Sequence, residues 1–192
     1  MPAVDLMPAA GRTADLLGGI TDELLDARTP CPDYSLGDLL DHVGGLALAF
    51  RAAATKRPVA GAPSAPSADA SRLGDDWRTR IPRDLVALAE AWREPDAWTG
   101  MTAAGGVELP GEVAGLVALN EVVTHGWDVA RASGQPYEPD DASLEAIHEF
   151  IAPMAGSGEA GLFGPAVAVP DDAPLLDRVI GLTGRDPAWS PG

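Results

Sequence analysis

The sequence predicts an all-α protein, a bundle of helices joined by long crossover loops. Three observations predict it. Apolar residues recur at steps of three, four and seven over five separate stretches. Stretches rich in Pro, Gly and Ser divide them. Alternating strand patterns are almost absent, so helix packed on helix is the economical architecture.

The first stretch, about residues 3–27, carries Leu6, Ala9, Ala10, Leu16, Leu17, Ile20, Leu24 and Leu25 at helical spacing. Gly18 and Gly19 weaken it, and Thr29-Pro30-Cys31-Pro32 stops it, because proline has no N–H to give. A second helix is expected from Ser35 to about Lys56, opened by a capping box with Asp38 in the place of Glu. Leu36, Leu39, Leu40, Val43, Leu46 and Phe50 mark its apolar face. Residues 57–71 read as a mobile Pro/Ala/Ser loop. A third helix is expected over 72–94, with Leu85, Leu88, Ala89 and Trp92 inward and Pro82 either starting its better half or kinking it. Residues 95–110 form a long connection, with a short hairpin of Trp98–Met101 against Val107–Leu109. A fourth helix runs from Gly111 to Ser133 and stops before Gly134, a fifth covers 141–154, and a short one lies near 174–183. The bundle is expected to occupy 1–155, with a C-terminal extension, 156–192, packed on it in a single domain.

Charge bounds the function. Thirteen basic against 29 acidic residues give a net −16 over 192 residues, and Lys56 is the only lysine. Nucleic-acid binding needs clustered cations, so nucleic acid and anionic membranes are excluded as expected partners. A lone Cys31 cannot form an internal disulfide, and the N-terminus lacks a signal-peptide pattern. A cytoplasmic location is expected. The sequence also leaves room for a homodimer.

The fourth helix is apolar on nearly every side, so its polar residues need specific partners. Glu121 and His125, four apart, project from one face in a stripe with Ala114, Val117 and Ala118. They fit an ordinary Glu–His pair on a flank or two ligands of one ion. His42, beside the core face of the second helix, fits a histidine bonded to Asp38 or a further ligand. Asp128, three beyond His125, would orient a ligand or sit on the surface at the helix end, the latter preferred. Trp127 is expected in the core, Cys31 in a structural role, and His148 at the surface or behind the site.

The run from Thr29 through His42-Val43 and the run Asn120-Glu-Val-Val-Thr-His125-Gly-Trp-Asp128 resemble the DinB/YfiT-like superfamily, in its mycothiol-dependent maleylpyruvate isomerase branch. The segments from Leu162 to Val167 and from Leu175 to Trp189 resemble its single-domain actinobacterial members. The resemblance implies a four-helix bundle whose ion is held by His42, Glu121 and His125. Zinc is the first expectation, and such a donor set also accepts nickel, iron or manganese. It further implies a small-molecule thiol, mycothiol or bacillithiol, meeting an electrophilic substrate in an S-transferase or isomerase reaction. The alternative is a metal- or small-ligand-binding protein without catalysis. The isomerase carries a further C-terminal domain, whereas only about 38 residues follow the expected fifth helix in this sequence, so a substrate other than maleylpyruvate is expected.

Overall fold

The structure is a computed structural model that describes residues 3–62, 67–154 and 164–191. It is mostly helical. Helix α1 (Met7–Leu17) is followed by α2 (Leu36–Thr55), α3 (Trp77–Ala91), a hairpin of β1 (Met101–Ala104) and β2 (Val107–Pro110), α4 (Gly111–Ser133), α5 (Asp141–Ile151) and α6 (Leu175–Leu182). Helices α1 and α2 each pack on both α3 and α4, so these four enclose a common core, while α5 packs on α4 and α6 on α5. Among the described residues no helix is long and apolar enough to cross a membrane.

Local chemistry accounts for most boundaries. Ser35 accepts from Asp38 N and the Asp38 side chain accepts from Ser35 N, closing the expected capping box at α2. Gly134 ends α4 in the left-handed conformation, φ 69°. Helix α1 ends at Leu17, shorter than expected, because the chain turns at Gly18-Gly19; a single 3-10 turn, Asp22–Leu24, follows. Helix α3 begins at Trp77 rather than 72 and holds Pro82 in its interior. Helix α5 stops at Ile151. The boundary expected between 155 and 156 lies outside the described residues.

The hairpin pairs Met101–Ala104 with Val107–Pro110, not Trp98–Met101, because Pro95–Trp98 form a 3-10 turn whose Trp98 indole N–H donates to Trp92 O. Its two-residue loop is Gly105-Gly106, both at positive φ (58° and 83°), which suits strands that twist together. Thr102 Oγ1 donates to Ala53 O at 2.6 Å and ties the hairpin to α2.

At Gly126, beside His125, Thr13 of α1 packs directly on the backbone of α4. A Cβ there would collide with Thr13 Oγ1 and Tyr137 Oη, which share a hydrogen bond. Thr13 also donates to Val122 O. The bare glycine backbone therefore sets the depth at which α4 sits.

Candidate metal centre

The packing of α2 on α4 brings His42, Glu121 and His125 together. One ligand atom of each lies within 4.8 Å of the other two. The two imidazoles meet edge to face, 4.9 Å between centroids. His125 Nε2 lies 3.1 Å from Glu121 Oε2. Both histidines are buried, and Glu121 nearly so.

Each ring is held from behind. His42 Nδ1 is 3.2 Å from Ser67 O, so it donates there and leaves its lone pair on Nε2. Of the two readings open for His42, the bond to Asp38 is not the one the structure shows. Asp38 is committed to the Ser35 cap and to Ala70 N, which with an Asp69 N–Asp41 bond anchors the end of the 57–71 loop over α2. His125 Nδ1 is 2.9 Å from Asp128 Oδ2, an arrangement that directs its Nε2 toward Glu121.

Asp128 is not the surface residue the sequence suggested; it is fully buried. Cys31 Sγ donates to its Oδ2 at 3.2 Å, and Arg185 donates to both its oxygens at 3.0–3.3 Å. Arg185 belongs to the C-terminal extension and also donates to Thr183 O and to Cys31 Sγ. Sequence reasoning missed it, since no spacing or motif links Arg185 to the fourth helix. Cys31 is placed by a tight turn in which Thr29 Oγ1 donates to Cys31 O and Tyr34 O and accepts from Cys31 N. Trp127 is in the core, as expected, and half-buried His148 is outside both candidate donor groups.

The electrostatics follow from these contacts. Burial and the neighbouring His125 lower the pKa of His42. Burial also opposes charge on His125, but its bonds to Asp128, Cys31 and Glu121 outweigh this and raise its pKa well above the ordinary value. Burial would raise Glu121 and Asp128, yet the His125 contacts of each, joined by Arg185, hold both low.

A tetrahedral zinc bound at ~2.0–2.1 Å separates its donors by roughly 3.3 Å. The His42–Glu121–His125 group can close on an ion with side-chain shifts of about an ångström, on that geometry. Cys31, His125 and Asp128 form a second cluster of donors. It fits an ion poorly, because the Arg185 guanidinium already sits on Cys31 and Asp128 as their cation.

The triad lines a cavity of about 610 Å³ that Cys31, Tyr34 and Arg185 also line. Such a volume suits a small molecule.

A family model described as the mycothiol maleylpyruvate isomerase N-terminal domain matches residues 6–130. Two proteins of Mycobacterium tuberculosis, each described as uncharacterized (MT0763 of strain CDC 1551 / Oshkosh and Rv0738 of strain H37Rv), are each 29% identical over 181 residues. Those alignments cover 90% of this chain and 91% of each relative. No solved structure matches the chain.

Proposed function

Since the chain belongs to the mycothiol maleylpyruvate isomerase N-terminal domain family, we propose that it is a metal-dependent enzyme that brings a small thiol to a small electrophile, as an S-transferase or isomerase. Helices α1 to α4 are then its four-helix bundle, with residues from 164 onward closing one side of the site. The reaction is assigned to the cytoplasm, where the free Cys31 thiol stays reduced.

One observation carries this reading. Two imidazoles, each with Nδ1 committed to an acceptor behind it, gather with one carboxylate in the lining of a cavity, one ligand atom of each within 4.8 Å of the other two. A divalent ion held there would supply a Lewis acid that lowers the pKa of a coordinating thiol, so that the thiol gives its proton to solvent and stands as thiolate at neutral pH.

The rest is the work of the chain's own residues. His42, Glu121 and His125 would hold the ion. Three protein ligands suit a site with a position left for substrate better than a closed structural site. Ser67 O and Asp128 fix the tautomers that put lone pairs on the two Nε2 atoms. Arg185 holds Asp128 ionised and in place. Asn120 is buried beside Glu121, and Val107 and Leu109 of the hairpin line the cavity.

The test is thiol consumption by zinc-loaded protein given mycothiol and an electrophile such as 1-chloro-2,4-dinitrobenzene. Consumption should require zinc and vanish in His125→Ala together with the bound ion. Equal consumption by wild type and His125→Ala would overturn the proposal.

A further inference from the structure

We infer that the cavity beside the triad takes a neutral, largely apolar ligand ending in a hydrogen-bond acceptor, and not a dicarboxylate. The inference deepens the proposed function, and rests on it in taking the triad as the reactive centre.

The wall is aliphatic and aromatic along its length. Leu46 and Phe50 come from α2, Val113 and Val117 from α4, and Val107 and Leu109 from the hairpin. Val107 stands 63% exposed at the hairpin tip, so the apolar surface continues outward to solvent. An apolar ligand would cover it.

Charge on the wall is committed. Among the described lining residues Arg185 is the one arginine or lysine. Its donors already serve Asp128, Thr183 O and Cys31 Sγ. A ligand with two carboxylates would bring at least one of them to burial near Glu121 with no free guanidinium or ammonium to pair with, even where an ion at the triad took the other. The net charge of −16 opposes its approach as well.

One polar group on the wall lacks a partner. Asn120 is 1% exposed, and its Nδ2 makes no hydrogen bond. Its Oδ1 lies 3.5 Å from Thr124 Oγ1, one turn along α4. Turning the amide over would give Thr124 one N–H and leave the second without an acceptor. A buried orphan donor is costly and rare. With Nδ2 itself buried, a small swing of the amide toward the cavity would let a ligand carbonyl or ether oxygen satisfy it.

Calorimetric titration of the full chain in its metal-free form, where no ion can take a carboxylate, tests this with an isosteric pair, benzylideneacetone (a neutral aryl enone) and cinnamate (its carboxylate counterpart), with fumarate as the dianion. The ketone should bind at least about tenfold more tightly than cinnamate, the cost of an unpaired buried charge, and fumarate should give no saturable heat. Cinnamate or fumarate binding as tightly as the ketone would overturn the inference. Asn120→Leu should weaken the ketone about five- to tenfold, the loss of one hydrogen bond, with zinc stoichiometry unchanged; an unchanged ketone affinity would remove Asn120 from the account. Should that variant fail to fold, Val113→Lys, at a half-buried position, should raise cinnamate affinity, and no gain would count against the charge argument. A ketone preference in protein that binds no zinc would leave this inference standing and remove the metal centre, so the two failures are distinguishable.

Discussion

Replacing Asp128 by Asn turns one carboxylate oxygen into an NH2 and removes the charge at a fully buried position. The native carboxylate accepts from His125 Nδ1 at 2.9 Å, from Cys31 Sγ at 3.2 Å and from Arg185 at 3.0–3.3 Å. The amide has one oxygen, and the Arg185 cation should claim it. Its NH2 then faces His125, which makes Nδ1 an acceptor and moves the ring proton to Nε2. That nitrogen can no longer serve as a ligand, the same tautomer fault that disables a catalytic histidine when its buried aspartate becomes asparagine. Loss of such a supporting bond typically lowers metal affinity about 10- to 100-fold, or roughly 1.4–2.8 kcal/mol. The fold should also weaken by about 1.5–3 kcal/mol, the range for a hydrogen bond to a charged group. Asp128→Ala, which strands Arg185 without a counter-charge, should cost about 3–5 kcal/mol. Zinc affinity by chelator competition and stability by urea denaturation read both quantities. Asp128→Asn with wild-type zinc affinity would refute the tautomer argument, even if stability fell.

Arg185→Ala should weaken zinc binding several-fold through Asp128, although Arg185 is 57 residues away in sequence; chelator competition checks it, and unchanged affinity would separate the extension from the site. Gly126→Ala should destabilise the fold by about 1–3 kcal/mol, as overpacking does, read as a lower urea midpoint. In the metal-free protein His125 has its pKa raised from 6.5, so its contribution to stability is fully present below that value and lost as pH rises through the raised one. Glu121 and Asp128 are lowered, so their contributions are present above about pH 4.5 and lost in acid. Zinc must displace the His125 proton, and its uptake at pH 7 should release about one proton per ion; buffer-dependent calorimetry measures it, and zero release would contradict the assignment.

Helices α2 and α4 were readable in the sequence because their signals are local: a Ser35/Asp38 box, an apolar stripe, a terminal Gly134. The Glu121–His125 pair was readable for the same reason, as four residues on a helix place side chains on one face. The partners behind the rings were not. Ser67 reaches His42 across a loop, and Arg185 reaches Asp128 from the far end of the chain, so no periodicity links either pair. Asp128 looked like a helix-end surface residue because the group that makes its burial tolerable lies in another segment. The end of α1 at Leu17 was masked by Leu24 and Leu25, which keep helical spacing while the backbone turns at Gly18-Gly19.

The central claim is that the chain's own ion ligands are His42, Glu121 and His125. Zinc-edge X-ray absorption of the protein loaded with one equivalent of zinc, with no added thiol, tests it most directly. The account predicts two imidazole nitrogens and oxygen at ~2.0–2.2 Å, with no sulfur near ~2.3 Å. A sulfur scatterer would move the ion to Cys31, and a spectrum without imidazole would contradict the assignment altogether.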